Sequence, residues 1–363
     1  MRTVPVSVAL LLAIAIAIAG AAGDAGAEDP LPASRGVERK ISGPAIAMAA
    51  SRDGKWLAVA DAGTEEVVLF STSDDRRHVV ARPQDGAHGW RSIVFTDDSA
   101  FLVAAPFEGA SGVSRVSVID VATAKEKSSI DCPAPDRSGI SNLCQVAADP
   151  GGSKFLLRGF RTVEVWDAKS GERQSEEKSE SKGLGVFRTP DPRWAIEDRT
   201  KAIALVDVTR GLDRWTIDAA YDVAAPKGSK REEAIHDRSV WIAGLTGDGR
   251  FLVLQWRWKR GPKGDDKSGE EREVTVHSMR DGKPVWKRRV DSGLRAVAAG
   301  DGVVAIGAEE KVEFVDAATG KDRGAVATPG TPAAIVPASG GRAFWVNVLR
   351  GAVVKVEVPA TAK

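Results

Sequence analysis

The octapeptide DGKWLAVA, Asp53 to Ala60, couples a tight polar turn to a run of bulky apolar residues, and the chain returns to that pairing along its length. It recurs as DSAFLVAA from Asp98, GSKFLLRG from Gly152, DPRWAIED from Asp191 and DGRFLVLQ from Asp248, then more weakly as DGVVAIGA from Asp301 and GGRAFWVN from Gly340. Successive copies lie 39 to 57 residues apart, about 48 on average. Self-similarity at this period marks an array of one supersecondary unit. An alternating apolar stretch precedes the turn, as in AIAMA from Ala45, SIVF from Ser92, VWIAGL from Val240 and AAIV from Ala333. A Val-rich stretch closing on Asp follows it (VSVID from Val116, VEVWD from Val163, IALVD from Ile203, VEFVD from Val312), and a more polar stretch such as RHVVARP from Arg77 or PVWKRRV from Pro284 ends the unit. Short β-branched runs between Asp/Gly turns are strands joined by hairpins. Four strands per unit make a propeller blade, which cannot cover both of its faces alone and must stack on neighbours. Seven such units fill the 336 residues that follow Ala27. The expected fold is all-β, a seven-bladed β-propeller of four-stranded antiparallel blades occupying residues 36–363 as a single domain.

Closure of the ring follows from the same count. The seventh unit supplies strands near Ala333, Phe344 and Ala352 and then stops at Lys363 without a fourth. GVERKIS, Gly36 to Ser42, is a strand left without a unit of its own. Set beside the last strand, it removes an exposed edge and ties the ring shut.

Upstream of the repeats, Arg2 precedes an uncharged Val/Ala/Leu/Ile stretch from Val4 to Ala22, and Ala25-Gly26-Ala27 forms an A-x-A site before Glu28. Residues 1–27 read as a secretory signal peptide, with 28–35 a short linker. Cleavage after Ala22 is the second option, and an uncleaved N-terminal membrane anchor is the competing reading, since the apolar stretch has about the length that crosses a bilayer. The working compartment is then periplasmic or extracellular, where disulfides persist. Cys132 and Cys144 are the only cysteines, which makes them a disulfide candidate, with two free thiols as the alternative. Lys plus Arg number 51 against 50 Asp plus Glu, a net charge of +1 that offers no electrostatic case for nucleic acid. No later segment is long and apolar enough to insert into a membrane once the signal is cleaved.

Three stretches, ISGPAIAMAASRDGKWLAVAD (Ile41 to Asp61), VSVIDVATAK from Val116 and PGTPAAIVPASGGRAFWVNV (Pro329 to Val348), resemble the YVTN-type propeller repeats, relatives of the WD-repeat propellers. Trp345-Val346-Asn347 stands where such repeats carry their name-giving residues. HGWRSIVFTDDSAF from His88 and the VWD of Val165 to Asp167 are more WD-like, although the Asp–His–Ser–Trp set of WD repeats is not repeated along the chain. The resemblance spans nearly all of residues 36–363 and implies architecture rather than activity. RGLDRWTI from Arg210 and RDGKPVWKRRV from Arg280 are similar to quinoprotein-type blades, which implies that Trp215 and Trp286 dock blade to blade.

No reactive constellation stands out. His78, His88, His236 and His277 fall in different units, and the two cysteines form no haem-attachment motif. A nucleophile elbow, a phosphate-binding glycine loop and an EF-hand loop are all missing from the sequence. Most carboxylates sit in the Asp-Gly turns and read as turn chemistry. No catalytic residue, metal ligand or cofactor is therefore assigned. Trp56 and Trp194 share a repeat position with Phe101, Phe155 and Phe251 and read as blade packing. Trp256 and Trp258, in QWRWKR, share one face of an extended strand and read as packing that leads into an exposed loop.

In an antiparallel blade the second hairpin and the crossover to the next blade emerge on one face, the other two hairpins on the opposite one. The extra residues of the long units fall in the first class: Ala105 to Ser114, Cys132 to Cys144, Asp218 to Arg238 and Lys259 to Glu273. Long loops on a rigid scaffold concentrate binding residues. Two of them are densely charged, KGSKREEAIHDR from Lys227 and KRGPKGDDKSGEERE from Lys259. His236, Arg257, Trp258, Lys259 and Arg260 are the candidate contacts, because mixed charge over an aromatic base suits a polar partner. The reading is a non-catalytic exported module, monomeric, that binds an unidentified protein or polymer and neither nucleic acid nor membrane. The alternative is a lactonase-type propeller hydrolase with its site at the mouth of the central channel. That would need Asp or Glu on innermost strands, which here read as Ala, Ile and Val.

Overall fold

Every turn-and-strand unit of the repeat forms a blade. A computed structural model describes residues 38–360 apart from 75, 83–88, 107–114, 133–144, 150, 159–161, 179–184, 189–193, 200–201, 208–211, 220–234, 261–269 and 291–293. The described strands make seven four-stranded antiparallel sheets, spanning residues 45–81, 90–131, 145–178, 185–218, 235–290, 294–327 and 332–357, the last joined by Glu38–Lys40. Within blades 1 to 6 the strands pair in chain order. First strands of blades 7, 1, 2, 3 and 4 adjoin in succession, as do those of blades 5, 6 and 7, and blades 4 and 5 meet through a shared apolar cluster. The fold is a seven-bladed β-propeller.

Glu38–Lys40 closes the ring as the count requires. It runs antiparallel to Ala352–Glu357, with Glu38 opposite Val354 and Lys40 opposite Ala352. Arg39 between them reaches into blade 1, its guanidinium donating to the carbonyls of Ser71 (2.9 Å) and Asp74 (2.5 Å). Two buried polar side chains at the ends of second strands complete the seam. Asn347 accepts the Ala45 N–H at 2.8 Å and donates to the Ala352 carbonyl. Asp61 accepts the N–H groups of Ser42, Gly43 and Gly63 at 2.7 to 2.9 Å. Backbone donors in the crossover, which no ladder reaches, are thereby satisfied.

The core lies between blades rather than inside any one of them. Phe101, Val103 and Val118 of blade 2 interdigitate with Phe155 and Leu157 of blade 3, and Val253 and Val276 of blade 5 with Val297 and Val304 of blade 6. Stacking is therefore the stabilising event, as the lone blade's two apolar faces demand. Two joints carry an extra device. The Trp215 indole N–H of blade 4 donates to the Met279 carbonyl of blade 5 at 3.0 Å, and the Trp286 indole of blade 5 repeats the contact on Ala317 of blade 6 at 2.9 Å. Each tryptophan closely approaches a turn glycine with positive φ, Gly282 or Gly320. A Cβ on either would sit 2.8 to 2.9 Å from the indole, so only glycine admits this approach. Between blades 2 and 3 Ser128 stands against Gly171 in place of a tryptophan.

Candidate functional site

The two ends of the propeller are built differently. First hairpins, and the third hairpins of blades 1 to 6, share one face, the turn face, while second hairpins and blade-to-blade crossovers share the loop face. On the turn face a single clasp recurs. Ser51, Thr96 and Thr246 each donate a hydroxyl hydrogen bond to the aspartate two residues on (Asp53, Asp98, Asp248) at 2.6 to 2.7 Å. Each hydroxyl also accepts the N–H of the aromatic residue that opens the next strand, at 2.9 to 3.1 Å. Burial pushes these three carboxyls up, but hydrogen bonds from the hydroxyls and turn amides outweigh it and hold them below the usual aspartate value. The clasps also join one another. Ser339 donates to the Arg52 carbonyl, Arg52 pairs with Asp97, Ser99 accepts the Asp53 N–H, Ser153 donates to Asp98, and Gly247 donates to the Gly300 carbonyl. The turn aspartates are structural.

Blade 5 breaks the pattern on the loop face. Its first three strands, Ile235–Leu245, Phe251–Arg260 and Glu270–Ser278, are 11, 10 and 9 residues long, against three to seven for every other described strand. Three or four extra residues at ~3.3 Å each carry them roughly 10 Å beyond the rim. Part of the expected loop Lys259 to Glu273 is therefore strand, and only 261–269 lies between strands. The expected loop Asp218 to Arg238 is likewise shortened, since Asp218 ends Leu212–Asp218 and Ile235 begins the next strand. The physical reason is that charged residues do not end a strand whose side chains face water. Period-two alternation continues through QWRWKR and EEREVTVHS, and the ladder continues with it.

This ridge has two unlike sides. Trp256 and Trp258, 3% and 7% exposed, pack with Ile196, Leu205 and Trp215 of blade 4. The Trp256 N–H donates to Thr275 Oγ1 at 2.8 Å, and the Thr275 hydroxyl donates to His277 Nε2 at 3.0 Å. His277 Nδ1 donates to the Gly282 carbonyl at 2.9 Å. Burial lowers the His277 pKa against the raising effect of that carbonyl, so the ring is neutral and both nitrogens are used. The Trp258 indole N–H, by contrast, is buried without a hydrogen-bond partner. On the other side, Arg257 (side chain 46% exposed) and Arg272 share Glu270, at 3.3 and 2.5 Å. Lys259 stands opposite Glu270 in the ladder, and His236 opposite Lys259. His236 and His277 belong to one blade rather than to different units, because the first and third strands that carry them lie in the same sheet. The side chains of His236 and Arg260 lie outside the described residues. Of the five candidates, then, the backbone brings all to one ridge, while Trp258 turns inward, away from Arg257 and Lys259.

At the axis, a recess of about 340 Å³ on the turn face is walled by small residues, Ala50, Ala299, Gly300, Ala338 and Gly341, with Arg52 and Asp301 on its rim. Among the described residues no three His, Cys, Asp or Glu side chains gather as a metal site would require. Cys132 packs at the margin of the cluster between blades 2 and 3. Cys144 lies outside the described residues, so the pairing does too.

No protein-family model matches the chain, and no curated protein matches it in sequence. Solved structures do. A chain of Kuenenia stuttgartiensis hydrazine synthase is similar at 15% identity and TM-score 0.60, over 90% of this chain and 99% of that one. A chain from a mitotic checkpoint complex is similar at 10% identity and TM-score 0.60, over 92% and 94% respectively. At these identities the likeness is one of fold. That fold is WD40-like.

Proposed function

We propose that this propeller is a non-catalytic, exported binding or assembly module that meets a protein or polymer partner through its loop face, with the blade 5 ridge as the contact. The observation that carries the reading is the three-stranded projection itself: a ridge of continued ladder, seated on two buried tryptophans, presenting Arg257, Lys259, Glu270 and Arg272 on one side. Charges of both signs on a fixed platform suit a polar partner surface. One similar chain belongs, by its title, to a multi-protein complex. Export is supported by the uncharged run Val4 to Ala22 and the A-x-A site before Glu28, and the YVTN-type relation by Trp345-Val346-Asn347 with its neighbouring strands. In that compartment Cys132 and Cys144 form a disulfide that staples the crossover from blade 2 to blade 3.

The test is a cross-linking pull-down of the mature protein from envelope extract, using wild type, the Lys259→Glu/Arg260→Glu variant and a deletion of 261–269. A partner held by wild type and lost by both variants, with melting unchanged, supports the reading; equal recovery by all three overturns it. N-terminal sequencing of the exported chain should start at Glu28 or Gly23. Thiol labelling of the unfolded, unreduced protein should find neither cysteine reactive.

A further inference from the structure

A second site lies on the opposite face. A cleft of about 510 Å³ opens on the turn face between blades 4 and 5. Its floor is apolar, made by Trp194, Leu205, Phe251 and Met279. Three arginines surround it: Arg214 from the fourth strand of blade 4, and Arg250 and Arg280 from two turns of blade 5. The one carboxylate in the lining, Asp248, is already engaged by the Thr246 hydroxyl and by Arg250, through both its amide and its guanidinium. Among the described residues Arg214 and Arg280 form no salt bridge with a carboxylate of the lining, and the one nearby carboxyl that feels Arg280 is Asp281 on the same turn, held below its ordinary value first by the Ser278 hydroxyl. The cleft therefore carries Arg214 and Arg280 around an apolar floor in excess of the Arg250–Asp248 pair.

Packing alone does not call for these arginines. The Trp215 dock that forms one wall has a twin in the Trp286 dock between blades 5 and 6, which calibrates what the joint needs. The Met279 N–H donates to the Arg250 carbonyl just as the Ala317 N–H donates to Gly302, which aligns Arg250 with Gly302 and Arg280 with Ala318. Arg214, immediately before Trp215, corresponds to Val285 before Trp286. The twin joint thus closes with valine, glycine and alanine. Arg214 has a packing use, since its guanidinium lies 5.1 Å from the Trp194 ring centre, and Lys127 repeats that contact on Phe101 at 4.9 Å. Arg280, on an exposed turn pinned by its own amide to Ser278, has none.

We propose that this cleft binds an acidic peptide segment of a protein partner, taking a carboxylate between Arg214 and Arg280 and an adjacent apolar side chain on the Trp194–Phe251–Met279 floor. Guanidinium forks match carboxylates in two-point geometry. A lone inorganic anion would use the arginines and leave the floor wet, whereas an acidic residue beside a leucine or phenylalanine uses both. The volume falls in the range of ligand-binding clefts, and the dock beneath it holds the two blades in fixed relation.

The experiment is an anisotropy titration of the full chain with a fluorescein-labelled peptide in which glutamates alternate with leucine and phenylalanine. Its arms are the same peptide with glutamine for glutamate, inorganic phosphate as competitor, and the variants Arg280→Glu, Arg280→Met and Arg257→Glu. The acidic peptide should bind, the glutamine peptide should not, and phosphate should fail to displace it. Both Arg280 variants should weaken binding by about tenfold or more, since a hydrogen bond to a charged group is worth at least that, with melting unchanged. Arg257→Glu, on the other face, should bind as wild type. Wild-type affinity in both Arg280 variants, or full displacement by phosphate at equal concentration, overturns the proposal. Loss with Arg257→Glu alone would return peptide binding to the loop face and equally overturn it.

Discussion

The turn face and the loop face are two ends of the same seven sheets, yet they solve opposite problems. On the turn face the first hairpins of blades 1, 2 and 5 satisfy their own polar groups through a Ser or Thr and an aspartate two residues later, and each bonds to the next hairpin around the ring. On the loop face lengths diverge, and in blade 5 the strands run past the rim carrying charge of both signs. Carboxylate-rich turns are thus the structural end, and a strand too long for its blade is the sign of a surface built for something else. The arginine cleft is the informative exception, a place on the structural end where the charge exceeds what the joint uses.

Four measurements press on that contrast, beginning with the largest effect. Deleting residues 28–43 removes the strand that pairs with Ala352–Glu357 and the Arg39 bridge to blade 1, leaving an open edge. A sharp fall in melting temperature is expected, and unchanged melting would mean that the ring does not depend on its seam. Trp215→Ala should cost about 3–5 kcal/mol in chemical denaturation, as for other buried aromatic truncations. Gly282→Ala should be destabilising in the same assay, because a Cβ there meets the indole at 2.8 Å with φ at +71°.

The third measurement separates clasp from ridge. Thr96→Val removes one buried hydroxyl from the turn-face clasp and should cost about 1–2 kcal/mol. It should also change the pH dependence. The folded Asp98 carboxyl lies below its ordinary value, so its contribution is present above the ordinary carboxylate range and is lost as pH falls through the folded value. Thr96→Val weakens the hold on that carboxylate, and the acid limb of a melting-versus-pH curve should flatten. The smallest effect belongs to the ridge. Arg257→Ala should move stability by less than about 0.5 kcal/mol, since exposed ion pairs contribute little. A larger loss there would make the ridge structural and erase the distinction between the faces.

Much of this architecture was legible in the chain. The turn motif at Asp53, Asp98 and Asp248 marks the first hairpins, the Val-rich runs closing on Asp mark third strands, and the missing fourth strand of the last unit points to the N-terminal segment. The docking of Trp215 and Trp286 was implied by the resemblance of RGLDRWTI and RDGKPVWKRRV to quinoprotein-type blades. Less was legible at the candidate sites. QWRWKR reads equally well as a strand end or as the start of a loop, because charged residues fit both until a partner strand extends the ladder. Trp256 and Trp258 share a face in any extended strand, but only the presence of blade 4 buries them.

By itself, then, the sequence determined what depends on neighbours in the chain: strand alternation, hairpin chemistry, the number of blades and the need for a borrowed strand. These rest on period-two geometry and on turns a few residues long. The tertiary structure alone decided what depends on the joint between blades. Trp194, Arg214, Arg250 and Arg280 span 87 residues, lie in two different sheets and follow no common spacing, and they form one cleft because the Trp215 dock brings two turns of blade 5 against blade 4. A charge count records three arginines; only the stacking of sheets puts them around one apolar floor.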